Sequence, residues 1–360
     1  VGIMDKEQII LFAGITGCAL ALAAYVIWGP SPTRKKKGPI VGLRNLGMTC
    51  FLNTVLQSLA SCSFFVEWSV SLPRKGNLTQ TIEKILRILN GEVNGVDIPY
   101  SPIEIVSAIR KHGWTMPHSE HDAHEFFHVV LTSIEEEITK NSPLVIPSSS
   151  NLSHKMCPLS LKEILLNSHC NSPLRYDPFD SISLHLPSAS SVLTHYSLTQ
   201  LLDKFVETEQ VEGVECEGCN KNRAETTPVI STEALKTLRF GKLPKCLCFH
   251  ISRLTMQSNG TTYKRQDTFM NLSVSSLWFC SSPECKNHLY RLKAVIVHCG
   301  SSEWGGHFIT YRHGYLRSQT RHRWFYTSDE EVRQTSLAEV LSSLPYMLFY
   351  EKCETPGPED

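Results

Sequence analysis

Net charge is missing from this 360-residue chain, in which 35 Lys and Arg residues stand against 35 Asp and Glu. Without a global field to draw it to a polyanion, nucleic acid is set aside as a partner. Regular cysteine spacing is missing too. The 13 cysteines are scattered through a chain far larger than the small secreted scaffolds that depend on several disulfides. They read as reduced thiols of a cytosol-facing protein. Four glycosylation patterns, at Asn77, Asn151, Asn259 and Asn271, would be used only in a secretory lumen. No internal repeat and no heptad run is visible, so solenoids and coiled coils are excluded as well.

Charge is also absent locally, from Ile9 to Trp28. At about 1.5 Å per helical residue that run reaches about 30 Å, one hydrocarbon core. Tyr25 and Trp28 close it with interface-seeking rings, Pro30 stops the helix, and Arg34, Lys35, Lys36 and Lys37 follow. The positive-inside rule then places everything after Gly38 in the cytosol. A cleaved signal peptide fits less well, because the apolar run is too long and no basic residues lead into it except Lys6. Residues 1–38 are therefore expected to form a single-pass lipid-bilayer anchor, with its helix at about 9–28, and a basic linker. The segment resembles mitochondrial outer-membrane signal anchors, and an endoplasmic reticulum anchor has the same physics.

Beyond the anchor the expected fold class is α+β. Apolar residues recur at helical spacing in Phe51, Leu52, Val55, Leu56 and Leu59, in Ile82, Ile85, Leu86 and Leu89, and in Phe126, Val129, Val130 and Ile134. Asn141 to Ser153, rich in Ser, Pro and Asn, reads as a loop between subdomains. Strands are expected at Ile182 to Leu186, Leu243 to Ser252, Leu289 to His298, Phe308 to Arg312 and Arg323 to Ser328.

Three patterns carry chemistry. In the first, Gly42-Leu43-Arg44-Asn45-Leu46-Gly47-Met48-Thr49-Cys50 runs a Gly-containing turn into the start of a helix. A thiol in a first helical turn meets unpaired amide N–H groups and the positive end of the dipole, which favour the attacking thiolate. Asn45 lies five residues upstream, with a carboxamide able to donate to the oxyanion formed when Cys50 attacks a carbonyl. Cys62, Cys157, Cys246, Cys248, Cys299 and Cys353 lack such a setting and read as small buried apolar residues.

The second pattern sets His307 directly after Gly305 and Gly306 and before a strand. Pairing the two last strands as a hairpin with Arg312 opposite Arg323 also puts His307 opposite Ser328. Ser328 is then the group that orients the imidazole, with Asp329 as the rival on the opposite face of the strand. A hydroxyl can orient a ring but brings no charge to stabilise imidazolium.

The third is His124-Glu125-Phe126-Phe127-His128, which matches the zinc metalloprotease pattern of two histidines on one helix face with Glu as base. No downstream third ligand is recognisable, so a metalloprotease using His124 and His128 stands as the weaker alternative.

The first segment, with its Leu56-Gln57-Ser58-Leu59 continuation, resembles the cysteine box of ubiquitin-specific proteases, with Met48 where Asn is usual. Gly306 to Arg312 and Trp324 to Asp329 resemble the family's histidine box, with Ser328 in place of Asp or Asn. Glu120 to Phe126 is similar to the family's Gln-x-Asp-Ala-x-Glu-Phe helix. The resemblance spans roughly Ile40 to Glu351. It implies a papain-like catalytic domain of thumb, palm and fingers over 39–353, followed by a tail at 354–360. It also implies a deubiquitinase that hydrolyses isopeptide bonds at the ubiquitin C-terminus through Cys50, with no cofactor for catalysis.

Further implications attach to particular residues. Asp122 and Glu125 would hold the basic tail of ubiquitin. Cys216 and Cys219 would be half of a structural zinc site in the fingers, completed irregularly by His169 and Cys170. The Ser328 exchange, taken with the anchor, narrows the resemblance to a mitochondrial outer-membrane member. That implies ubiquitinated membrane proteins as substrates and an action opposing mitophagy. A catalytically silent ubiquitin-binding membrane adaptor is the alternative from another class.

Overall fold

The computed structural model describes residues 40–353, apart from 73–75, 97, 117–120, 142–158, 168–174, 188–194, 216–219, 221–230, 241–242, 257–261, 265–268, 273–276, 279–288, 301–305 and 316–321. The expected span at 9–28, the tail at 354–360, the 141–153 loop beyond Asn141, and His169, Cys170, Cys216 and Cys219 therefore lie outside the described residues. Among those described, no helix is long and apolar enough to cross a membrane, and no disulfide is formed.

Among the described residues five helices come first: α1 (Cys50–Ser61), α2 (Ser63–Ser71), α3 (Asn77–Leu89), α4 (Ile103–Arg110) and α5 (Ala123–Asn141). Strands β1 (Leu159–Asn167), β2 (Arg175–Phe179), β3 (Ile182–His185) and β4 (His195–Ser197) follow, then α6 (Leu198–Phe205). The chain continues through β5 (Glu209–Glu215), β6 (Ser231–Phe240), β7 (Cys246–Ser252), β8 (Leu254–Met256), β9 (Thr262–Lys264), β10 (Phe269–Asn271), β11 (Leu277–Trp278) and β12 (Leu289–Cys299). It ends with β13 (His307–Tyr315), β14 (His322–Ser328), β15 (Glu331–Thr335), α7 (Leu337–Leu341) and β16 (Pro345–Lys352).

The main sheet runs β15-β14-β13-β12-β16-β7-β3, with β11 beside β12. Its strands are antiparallel except for the β3–β7 pair. Both faces of its centre are apolar because successive side chains alternate. Ala294, Ile296, Phe308, Met347 and Phe349 pack under α1, α3, α4 and α5. Val295, Val297, Ile309, Leu348 and Tyr350 instead join the second core with α6 and β3. A separate antiparallel sheet, β2-β1-β6-β5, forms the fingers-like extension.

Helix α1 is fastened to β13 by polar bonds as well as by packing. Thr310 Oγ1 donates to the Thr54 carbonyl at 3.3 Å, and Arg312 Nη1 donates to Gln57 Oε1 at 2.7 Å. Arg312 also reaches Asn90 Oδ1 at 2.5 Å, so one buried guanidinium joins β13 to α1 and to the end of α3. Burial lowers its pKa to about 9. Breaking this clasp would leave several buried polar groups without partners.

The histidine hairpin corrects the expected register. Arg312 faces Phe325 and Gly314 faces Arg323, a slip of two residues from the Arg312–Arg323 pairing. Because the side-chain period is two, such a slip keeps every residue on its expected face. Tyr311 lies opposite Tyr326, so His307 and Ser328 share a face as diagonal neighbours.

Candidate active site

Cys50 opens α1 and is buried. Thr49 precedes it without capping the helix through its side chain, which keeps first-turn N–H groups directed at the thiol end. The hydroxyl of Thr49 is used elsewhere, accepting from Leu46 N at 2.8 Å and donating to Asn45 Oδ1 at 3.2 Å. Asn45 Oδ1 also accepts from Gly47 N and Thr49 N, each at 3.0 Å. One carboxamide oxygen thus ties the turn leading into the nucleophile. Gly47, at φ 93°, and Met48, at φ 56°, form the left-handed part of that turn. Glycine adopts this backbone freely, whereas Met48 does so at a cost.

The bonds between α1 and β13 descend together. Gln57 meets Arg312 and Thr54 meets Thr310. Four helical residues further back, about 6 Å, is Cys50, and about 6.6 Å of strand leads from Thr310 to Phe308. Cys50 therefore stands level with the start of β13, where His307 is half-buried. His307 Nε2 lies 2.7 Å from Ser328 Oγ. That leaves Nδ1 as the nitrogen for other chemistry. The room kept by Gly306 is real: a Cβ there would lie 2.4 Å from His298 Nε2.

Asp329, the rival orienter, is occupied elsewhere. Its Oδ2 accepts from Asn45 Nδ2 at 2.8 Å and its Oδ1 from Asn53 Nδ2 at 2.7 Å. Asp329 sits at φ 48° in the turn after β14, and its carbonyl accepts from Leu43 N at 2.8 Å. Gly42 is required beside it, because a Cβ at that position would come within 2.4 Å of the Glu330 carbonyl. The structure thus refines the expectation for Asn45. A carboxamide carries two N–H donors, and Asp329 takes one of those of Asn45. Asn53 and the clasp it completes were missed from sequence, although Asn53 lies one helical turn after Cys50.

Asp122 has a structural role at the start of α5. It is not a freely solvated acid, since its Oδ1 caps α5 by accepting from His124 N at 2.7 Å and Glu125 N at 2.9 Å. Its Oδ2 accepts from the Tyr346 hydroxyl. Glu125 is exposed, with Oε2 3.3 Å from His121 Nε2. Its carboxylate is therefore turned to His121 and not to His124 and His128, whose Nε2 atoms lie 3.0 Å apart. A metalloprotease would have no base beside its metal, which removes the physical ground for that alternative. Among the described residues no group of three or more His, Cys, Asp or Glu side chains could hold a metal. The expected zinc ligands lie outside those residues.

Of the residues singled out in the sequence, His307 and Ser328 are in contact, Asn45 is bonded to the neighbouring Asp329, and Cys50 opens the helix that is bonded to β13. Such a construction is that of a thiol hydrolase of the papain-like type. The match to the family of ubiquitin carboxyl-terminal hydrolases covers residues 41–350, and the chain belongs to that family, as a ubiquitin-specific protease and thiol-dependent deubiquitinating enzyme. Among its relatives is ubiquitin carboxyl-terminal hydrolase 30. The Xenopus tropicalis protein of that name is 31% identical, covering 96% of this chain and 88% of the relative. The Homo sapiens protein is 30% identical, covering 94% and 90%. In solved structures, the fold is similar to that of the SAGA DUB module with Ubp8, Sgf11, Sus1 and Sgf73 bound to monoubiquitin. There the TM-score is 0.71 at 24% identity, covering 93% of this chain and 74% of that one.

Proposed function

We propose that the protein is a membrane-anchored deubiquitinase in which Cys50, His307 and Ser328 form the catalytic triad and Asn45 serves the oxyanion. The observation that carries the triad assignment is the 2.7 Å contact between His307 Nε2 and Ser328 Oγ, made while Asp329 holds Asn45 and Asn53. With Nε2 engaged, Nδ1 takes the Cys50 proton and the thiolate attacks the carbonyl carbon at the ubiquitin C-terminus. The remaining N–H of Asn45 donates to the tetrahedral oxyanion. The imidazolium then protonates the leaving lysine amine, the isopeptide C–N bond breaks, and an acyl-enzyme remains on Cys50. Water, giving its proton to His307, hydrolyses that thioester.

Ubiquitin is the proposed partner, by analogy with the monoubiquitin bound to the DUB module of similar fold. Glu125, exposed at the start of α5, is the better placed of the two acidic residues to meet its basic tail. Asp122 supports it by capping that helix. The uncharged run from Ile9 to Trp28 and the basic residues after it support a single bilayer span with the catalytic domain, 39–353, in the cytosol. Together with the likeness to ubiquitin carboxyl-terminal hydrolase 30, the anchor supports the mitochondrial outer membrane as its location, ubiquitinated proteins of that membrane as substrates, and opposition to mitophagy as the outcome. Any zinc on Cys216, Cys219, His169 and Cys170 is structural in this reading.

A ubiquitin bearing a C-terminal electrophile tests the centre of the proposal. Mass mapping should place the adduct on Cys50, and Cys50→Ala should abolish both labelling and hydrolysis. An adduct on another cysteine, or hydrolysis surviving in Cys50→Ala, would overturn it.

A further inference from the structure

The His124–His128 pair is not absorbed by this chemistry, yet the fold has built around it. Four residues apart on α5, the two imidazoles face the same way. Ser181, at the entrance to β3, completes a triangle: its Oγ is 2.7 Å from His124 Nε2 and 3.2 Å from His128 Nε2, and the two nitrogens are 3.0 Å apart. All three donor atoms can be reached at once from a point about 2.0 Å from each, lying about 1 Å off their plane, which is the reach of zinc to nitrogen and oxygen ligands.

Proton supply argues that hydrogen bonding alone does not satisfy the triangle. His128 Nδ1 lies 3.5 Å from Asp180 Oδ2; in the tautomer with its proton on Nδ1, facing that carboxylate, His128 turns the Nε2 lone pair inward. Ser181 supplies one proton and His124 Nε2 at most one. Three contacts therefore share two protons, and one contact has none of its own. A cation accepts all three lone pairs together.

A third ring packs against the pair. His250 stacks on His124 with centroids 4.2 Å apart, and its Nδ1 lies 3.1 Å from Ser183 Oγ.

We propose that His124, His128 and Ser181 form a site for a divalent transition-metal ion of the zinc class, with water completing the coordination. The ion has no adjacent carboxylate base, since Glu125 is turned to His121. Its role is to brace α5 against the chain entering β3. Imidazole ligands suit zinc, cobalt, nickel and copper alike, so cobalt is a fair optical probe.

The experiment titrates Co²⁺ into the full chain carrying Cys50→Ala, with and without His124→Gln. The expected result is a site with d–d bands and no thiolate-to-cobalt charge transfer. Its affinity should fall by at least about tenfold in His124→Gln, as expected for loss of a metal-site partner. Should His124→Gln unfold, the more exposed His128 provides the same comparison through His128→Gln. Equal cobalt affinity in a folded variant would overturn the proposal, and so would a parent spectrum showing thiolate-ligated cobalt only.

Discussion

Two histidine sites, one at the start of β13 and one along α5, differ in what surrounds the rings. At the start of β13, His307 is half-buried, alone, and held by one hydroxyl. Beneath α5, His124, His128 and His250 crowd together with Ser181 and Ser183. His307 has one nitrogen engaged by Ser328; in the crowded set, burial lowers His124 to about 3 and His250 to about 4, so those two rings carry no extra proton near neutral pH. The difference teaches that the sequence pattern around a histidine says less about its chemistry than the number of protons its neighbours can supply.

The sharpest way to break this contrast is to remove the hydroxyl. In Ser328→Ala, kcat is expected to fall by about 10²-fold with thermal stability nearly unchanged, because a ring without its orienting partner samples other tautomers and rotamers. A kcat within threefold of the parent would show that Ser328 merely ends a strand. Replacing its neighbour should do the reverse. Asp329→Ala removes two charge-assisted hydrogen bonds, and destabilisation of about 2 kcal/mol in chemical denaturation is expected, with a smaller loss of kcat in the protein that remains folded. Loss of kcat larger than in Ser328→Ala would exchange the roles assigned to the two residues.

The mildest test is of the crowded cluster. Burial, as the largest cause, lowers His124 to about 3 and His250 to about 4. The unfolded chain binds those protons near pH 6.5, so between that value and about 4 the unfolded state holds more protons than the folded one. Stability is then full above about pH 6.5 and is lost as pH falls toward 4. The facing groups are His128, His185 and Asp122, and only Asp122 opposes the trend. A melting temperature that falls over this window in the parent, and falls less in His250→Gln, is expected. Equal acid slopes in the two proteins would remove the cluster from the acid response.

Much of this was legible beforehand. The helices at Phe51 to Leu59, Ile82 to Leu89 and Phe126 to Ile134 showed themselves by apolar spacing, and α1, α3 and α5 contain them. The hairpin was legible in parity but not in register, because a period of two cannot distinguish slips of two. Strand β5, read along Glu209-Gln-Val-Glu-Gly-Val-Glu215, shows no apolar alternation at all; its pairing with β6 makes it a strand. The Asp329 clasp was invisible for another reason. Its partners lie 284 and 276 positions away, and a side-chain bond of that span leaves no local periodicity. The contact of His307 with Ser328 was legible because both lie in short local motifs on neighbouring strands, while the convergence of Ser181 on the histidines is a tertiary event.

The long reach of that clasp has a consequence for biosynthesis. The turn that presents Cys50 is completed by an aspartate 284 positions after Asn45, so a growing chain carries its thiol through the synthesis of all the residues between before the turn is locked. Loop closure of this span is slow and costs chain entropy. Ribosome-bound fragments that stop short of Asp329 should therefore be unreactive toward ubiquitin electrophiles, so that the thiol is expected to stay silent until Asp329 has been made.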